Sequence, residues 1–425
     1  MKKVIVKGPA LSRSGYGEQT RFAIQALRSR PELFDIYILN TGWGNTGQMA
    51  AQTEEVKWIV GNLTKTAHYL QATGNQPNFD LSVQVTIPNE FEIMAAKNIG
   101  YTAGIETTKI APQWIEKCNT MDGVITISTH SQKVLQQTSY TATNGQTGEE
   151  VEGWCIRHPI QKVGYPVREA TPEPLDIEFT TTKNFLAVSQ WGTRKNLDNT
   201  IRWFVEEYGD DPDVGLVLKT NSVADCIMDR EFTASRLKAL LGESAAWGVP
   251  DRKCKIYLLH GEVSEGNLAW LYRHPTMKAL INLAHGEGWG LPMYEAACNE
   301  LPLIAIPWSG QMDFICRTNK KGKEVPHIIA VDYMVKPVQK AAVWDGVVQQ
   351  DSMWAFAREK SYKRALREAI NKEKHHRLRA TALAKEIRSK FQPEDLYKKF
   401  VSFLVTEADE EVAEWLQKIE QISEL

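Results

Sequence analysis

The stretch HGEGWGLPMYEAACNELPLIAI, His285 to Ile306, carries one carboxylate, Glu287, in a glycine-rich turn and a second, Glu295, just beyond it. An ionised carboxylate accepts hydrogen bonds and donates none, so two of them facing one cleft suit a ligand rich in hydroxyl groups. Gly286, Gly288 and Gly290 let backbone come close to a ligand. Pro292 fits the first helical position, where its missing N–H costs nothing. That places a helix start near Leu291, with Glu295 in its first turn. The free N–H groups of such a start favour an anion, for example a phosphate. Sugar hydroxyls, a diphosphate and a ribose diol meet these requirements together, and a nucleotide sugar contains all three.

The elements that must position these residues are an alternating series. ALINLA, just before the turn, reads as a buried strand, so HGEGWGLP lies at its carboxyl end, where doubly wound sheets bind ligands. Around it the strands NFLAVSQ, GLVLKT, KIYLLHG and LPLIAIP alternate with helices after Asn196, near Ala234 to Leu241, and over EGNLAWLYRHP. The first half of the chain does the same. KKVIVKG, FDIYILN, FDLSVQVTI, NIGYTAGIE and MDGVITIS read as strands. GEQTRFAIQALRSRP puts Phe22, Ala23, Ala26 and Leu27 on one helical face before Pro31 ends it, and THSQKVLQQT is helical. Alternation of this kind predicts mostly parallel sheets covered on both faces. Tyr140 to Trp154 is polar and reads as an exposed loop. The proline-containing stretch from Lys162 to Lys183 reads as an interdomain linker. From Trp354 the chain reads as helical and charged, with 12 Lys/Arg against 4 Asp/Glu between Arg358 and Lys390, followed by an acidic end. No sequence repeat relates the two halves.

At 425 residues the chain exceeds one ordinary core and suits two domains. Hydrophobic residues at 43% and charged residues at 24% describe a soluble globular protein. A formal net charge of -2 argues against a surface coated in basic charge for nucleic acid. The apolar run Val4-Ile5-Val6 is too short for a secretion signal, and no apolar stretch nears the roughly 20 residues that span a bilayer. The six cysteines are scattered without a C-x-x-C pair, which fits reduced thiols in the cytoplasm and speaks against zinc.

EGWGLPMYEAACNELPLIA resembles the E-x7-E signature of family-4-type retaining glycosyltransferases of GT-B architecture, and PWSGQMDF after it is similar to the same family. The resemblance implies that Glu287 contacts the transferred sugar, Glu295 the nucleotide ribose, and the backbone of Gly288, Trp289, Gly290 and Leu291 the sugar and phosphate. FLAVSQWGTRKNLDNTIRWF resembles the family's diphosphate grip. There Arg194 and Lys195 would neutralise charge building on the leaving group, although the family often carries its arginine a few residues earlier. Gly15-Tyr16-Gly17, between the first strand and a helix, resembles the N-terminal glycine loop that closes over donor and acceptor. GYTAGIET is similar to a strand-end segment that would put Glu106 on the acceptor side of the cleft.

The resemblance implies two facing Rossmann-like domains. Residues 1–170 form the acceptor side and 171–392 bind the donor, while 393–425 supply helices that cross back to the first domain. The reaction it implies moves a sugar from a nucleotide diphosphate donor to a hydroxyl acceptor with retention at the anomeric carbon. It needs no metal or further cofactor, and the departing phosphate is the candidate base. Oligomeric state and acceptor stay open. The basic run keeps nucleic acid open as an acceptor only, in the form of transfer to hydroxymethylated bases in DNA. A non-catalytic nucleotide-sugar-binding protein and a nucleotide-sugar epimerase are the other readings. Asp211-Pro-Asp213 reads as a polar turn rather than a metal motif. His285 reads as structural or sugar-facing, and His375-His376 as exposed. Core packing is the default for Trp43, Trp191, Trp289 and Trp308.

Overall fold

The computed structural model describes residues 1–49, 53–143, 145, 147–319, 321–412 and 415. It contains two six-stranded parallel sheets. The first is built from β1 (Lys2–Gly8), β2 (Phe34–Asn40), β3 (Leu81–Val85), β4 (Lys97–Thr102), β5 (Gly123–Thr126) and β6 (Ile160–Lys162), in the order β2-β1-β3-β4-β5-β6. The second is built from β7 (Lys183–Gln190), β8 (Val214–Asn221), β9 (Lys255–Leu259), β10 (Met277–Asn282), β11 (Leu303–Ala305) and β12 (Ile329–Ala330), in the order β9-β8-β7-β10-β11-β12. Each sheet reverses its strand order once, and in such sheets the crevice at the carboxyl ends beside the reversal is the ligand site. Together they form the GT-B fold, with two parallel-sheet α/β units.

The central strands carry apolar residues on both faces because helices cover both. Val4 and Val6 on one face of β1 and Ile5 on the other, like Leu216 and Leu218 on one face of β8 and Val217 on the other, are all buried. The helices are α1 (Gly15–Arg28), α2 (Glu54–Ala72), α3 (Pro112–Cys118), α4 (Thr129–Gln137), α5 (Leu197–Tyr208), α6 (Ile227–Gly242), α7 (Glu265–Arg273), α8 (Leu291–Cys298), α9 (Met312–Ile315), α10 (Glu359–Asn371), α11 (Glu373–Lys390) and α12 (Pro393–Leu404). In α1, Phe22, Ala23, Ala26 and Leu27 are buried as the periodicity requires. α12 packs back onto α1, where Phe400 meets Phe22 edge-on at 5.6 Å and Tyr397 donates to Gln25 at 2.9 Å. Residues 413, 414 and 416–425, most of the acidic end, lie outside the described residues.

Several expectations are corrected. Tyr140–Trp154 is not an exposed loop but an antiparallel hairpin, Tyr140–Thr143 with Glu150–Trp154, whose short, mostly exposed strands anchor only through Tyr140 and Trp154 and so carry little apolar pattern. Gly15-Tyr16-Gly17 is the first turn of α1, capped by Ser14, rather than a loop ahead of it. Helical structure after Trp354 begins only at Glu359, because Met353–Ala357 is a strand paired with Tyr333–Pro337. His376 is buried, 3% exposed, at the face that α11 turns inward, while His375 is exposed. Much of the basic run is neutralised by neighbouring acids, including Lys363 with Glu206 and Glu359, Arg367 with Glu207, and Arg388 with Glu169 and Glu300. Among the described residues no helix is long and apolar enough to cross a membrane.

Besides the chain segment that links the sheets, a loop joins the two units. It runs from residue 338 to 352, between the strands of the last hairpin, and puts Val347 into the first unit's apolar cluster with Phe91, Ile110 and Trp114. Asn89 donates to the Gly346 carbonyl at 3.0 Å, and Lys109 pairs with Asp351 at 2.5 Å.

Candidate functional site

β7 and β10 are neighbours, so the turns at their carboxyl ends meet. After β7 a tight turn, Thr193–Lys195, is closed by Asn196 in a left-handed conformation, φ +55°, which asparagine tolerates better than most residues. The Asn196 amide donates to the Leu283 carbonyl just past β10 at 3.2 Å, and the His285 N–H donates to the Arg194 carbonyl at 2.8 Å. This stitching aims both cations at Glu287. Lys195 Nζ donates to the two Glu287 oxygens at 2.6 and 2.8 Å, and Arg194 donates to Glu287 at 3.0 Å and to the Gly286 carbonyl at 2.7 Å. Asn282 donates to Glu287 at 3.0 Å from the end of β10.

Glu106 of the first unit reaches across to Arg194 at 3.2 Å, so two cations and two carboxylates form one cluster between the units. Burial alone raises the pKa of the Glu287 carboxyl, but Lys195, Arg194 and Asn282 outweigh it and bring it down to about 2. Burial lowers Lys195 below the usual lysine value, with Arg194 adding to the effect and Glu287 opposing it. The arrangement concentrates positive charge beside a carboxylate that stays ionised. An incoming anion can take over the partners that Glu287 holds.

The turn before α8 explains its glycines. Gly290 caps the helix with φ +92° and no side-chain cap, and Pro292 follows Leu291 in the first turn. Gly286 and Gly288 have first-unit backbone against them: an added Cβ would lie 2.6 Å from the Glu106 carbonyl oxygen and 3.1 Å from that of Ala103. The close approach expected toward a ligand is, at these two glycines, an approach of the two units. The Glu287 N–H donates to Ser309 Oγ at 2.9 Å and its carbonyl accepts from Gly310 at 2.9 Å. Ser309 adopts φ +67°, a strained conformation for serine that its bonds to this turn hold in place. The Trp289 side chain points away from the charged cluster into a core of Tyr165, Tyr294, Phe314 and Phe391.

Glu295 is the fifth residue of α8, so it lies beyond the first turn rather than in it. It does not join the Lys195 cluster. Tyr272 of α7 donates to it at 3.1 Å and Arg168 stands 3.8 Å away. Burial pushes the Glu295 carboxyl up to about 7, Glu18 and Glu265 adding to the rise and Arg168 and Tyr272 opposing it. Tyr16 hydrogen-bonds Thr102 Oγ1 at 3.0 Å while its ring packs on Trp43 at 4.1 Å. Gly17 cannot be replaced in place, because a Cβ there would lie 1.9 Å from the Ser12 carbonyl.

The residues missed in the sequence are Asn282, Ser309, Tyr272 and Arg168. The first three lie in or beside quoted motifs but are ordinary polar residues there, and Arg168 lies in a stretch that reads as linker. Asp213 accepts from Thr182 and Asp211 accepts from the Asp213 N–H, a turn with no ligand geometry. His285 is structural: Nδ1 contacts the Ala355 carbonyl at 2.7 Å and the ring stacks on Trp354. Trp191 is buried under Arg236, and Trp308 packs beside His130. Among the described residues no group of three or more His, Cys, Asp or Glu is placed to hold a metal.

No family model and no curated protein matches the sequence. The fold does match solved structures. Sucrose-phosphate synthase from Thermosynechococcus elongatus aligns over 95% of this chain and 98% of its own at 12% identity, with a TM-score of 0.58. The E. coli trehalose-6-phosphate protein bound with UDP-2-fluoro glucose aligns over 95% of this chain and 98% of its own at 12% identity, with a TM-score of 0.56. The chain spans only 55% of the length of S. aureus TarM, at 14% identity and a TM-score of 0.47.

Proposed function

We propose that this chain is a family-4-type retaining glycosyltransferase that moves a sugar from a nucleotide diphosphate donor to a hydroxyl acceptor. The observation that carries the reading is the convergence of Lys195 and Arg194, from one strand tip, on Glu287, from the next. The first glutamate of the E-x7-E pair and a cationic turn, separated by about ninety residues of sequence, meet in one cluster. The fold they sit on is shared with a protein bound with UDP-2-fluoro glucose.

In this reading residues 1–170 hold the acceptor, 171–392 the donor, and the helices from 393 return to the first domain. The donor diphosphate lies between Lys195, Arg194 and the start of α8, where Gly288, Trp289, Gly290 and Leu291 offer backbone N–H groups. Gly15, Tyr16 and Gly17 face it from the first domain. Glu287 orients the transferred sugar and Glu295 the ribose diol. As the bond to the anomeric carbon breaks, charge grows on the leaving phosphate, and Lys195 and Arg194 stabilise it at fixed positions without reorganising water. The cations carry the counter-charge, so turnover persists in excess EDTA. The departing phosphate takes the acceptor's proton on the face it leaves, which retains configuration. Glu106 stands on the acceptor side. Closure of the two domains excludes water that would hydrolyse the donor. The reading places the enzyme in the cytoplasm, where its thiols stay reduced.

The test is incubation of the purified chain with a panel of nucleotide sugars, with and without saccharide acceptors, followed by product analysis. Transfer or slow donor hydrolysis that disappears in Glu287→Ala, with the fold kept, supports the reading. Binding without any turnover supports a non-catalytic protein instead, and isomerised donor without acceptor supports an epimerase.

A further inference from the structure

Arg168 lies in the irregular segment between β6 and β7, and its guanidinium faces carboxylates from three helices. It contacts Glu18 of α1 directly, stands 3.8 Å from Glu295 of α8, and is 4.0 Å from Glu265 at the start of α7. The second cation nearby, Arg21, is committed to Glu18 and to the carbonyls of Ala10 and Ser12. Two cations therefore serve three carboxylates. Glu265 is largely exposed and solvated, while Glu18 and Glu295 are mostly buried and share one guanidinium unequally, with Glu18 the nearer. The other groups facing Glu295 are the Tyr272 hydroxyl and the Cys298 thiol, and burial keeps both protonated.

We propose that Arg168 is a positioning residue that sets the charge of Glu295, with Glu18 of the first domain as its competitor, so that the ribose end of the donor site is tuned from across the domain boundary. The inference rests on the donor reading of Glu295. A carboxylate receives both hydroxyls of a diol only when ionised. With burial holding Glu295 at about 7, its ionised fraction near neutrality depends on how much of Arg168 it commands. Loss of Arg168 raises the Glu295 pKa and weakens binding on the acid side. Loss of the Glu18 charge frees Arg168, removes a repelling carboxylate, and does the opposite.

The experiment is calorimetric titration of the full chain with UDP, and with GDP and ADP if UDP gives no heat, from pH 5.5 to 8.5. Wild type is compared with Arg168→Met, Arg168→Lys and Glu18→Gln. The phosphate's own titration is common to all four and cancels in the ratio to wild type. A shift of about one pKa unit changes the ionised fraction about tenfold on the acid side. At pH 6 Arg168→Met is expected to bind about tenfold more weakly and Glu18→Gln about fivefold more tightly. Both differences should close toward pH 8.5, and Arg168→Lys should track wild type. Damage to the fold would weaken both charge-removing variants at every pH. If Arg168→Met does not fold, the opposite-signed change in Glu18→Gln decides the matter. Pairing of unchanged pH profiles with intact nucleotide binding overturns the inference and leaves the donor site standing. Absence of nucleoside diphosphate binding in wild type overturns the donor reading, and the inference with it.

Discussion

Replacing Glu287 with glutamine removes the carboxylate that both Lys195 and Arg194 contact, leaving Arg194 with Glu106, while keeping the shape of the side chain. The carboxyl titrates at about 2, against an ordinary 4.5. A difference of about 2.5 units at 1.36 kcal/mol each corresponds to about 3 kcal/mol of folded-state stabilisation. The group is almost fully buried, 4% exposed, so solvent screening takes little from that figure. Because the folded value is depressed, this stability is present at all pH values above about 4.5 and is lost as pH falls from there toward 2. Glu287→Gln should therefore unfold at lower urea concentration than wild type, with a loss of about 3 kcal/mol that stays constant from pH 8 to pH 5. A nucleoside diphosphate offers the stranded cations a replacement anion. Saturating ligand should then stabilise the variant at least as much as it stabilises wild type, even though transfer is gone. Urea titration followed by tryptophan fluorescence, with and without ligand, measures both effects. A variant within about 0.5 kcal/mol of wild type at pH 7, the scatter of an ordinary surface substitution, would refute the claim that Glu287 holds the two cations together.

Glu295 behaves in the opposite sense. Its folded pKa of about 7 lies above the ordinary value, so its contribution is most favourable below about 4.5 and is lost as pH rises to 7. Glu295→Gln should be more stable than wild type at pH 8, by at most about 3 kcal/mol, and indistinguishable from it at pH 4.5; equal gains at both pH values would contradict the assignment. Val347→Asp puts a charge into the cluster around Trp114 and forfeits about 2 kcal/mol of apolar burial. It should enlarge the radius of gyration in small-angle scattering while leaving far-ultraviolet circular dichroism unchanged, and an unchanged radius would show that the 338–352 loop does not hold the units together.

The alternating series was legible because buried parallel strands are continuous apolar runs, and NFLAVSQ, GLVLKT and ALINLA are such runs. What escaped has little apolar patterning to read. α2 spans nineteen residues but buries only Val56, Ile59 and Thr66, so its helical stripe is thin. β6 is three half-buried residues, and the hairpin from Tyr140 to Trp154 is short and mostly exposed, with only Tyr140 and Trp154 packed against apolar neighbours. In the site, glycines and a proline mark the turn that carries Glu287 and Glu295, whereas Lys195 stands out only through the resemblance to a diphosphate grip. Spacing could not reveal that Gly286 and Gly288 accommodate Ala103 and Glu106, since contact between the units depends on how they dock. Nor could it find Arg168. A lone arginine in a proline-rich segment acquires meaning only when α1, α7 and α8 bring carboxylates to it.

The central claim, that Lys195 and Arg194 beside Glu287 form a diphosphate site, is tested most directly by thermal shift with nucleoside diphosphates and their sugars on wild type and Lys195→Met. At a hundredfold excess over its Kd a ligand adds about 2.7 kcal/mol. With an unfolding entropy near 2.1 cal/mol/K per residue, that raises Tm by about 3 °C for a chain of this size. The account predicts such a rise with at least one diphosphate in wild type and its loss in Lys195→Met, with the ligand-free variant still folded. An equal rise in both proteins would contradict it.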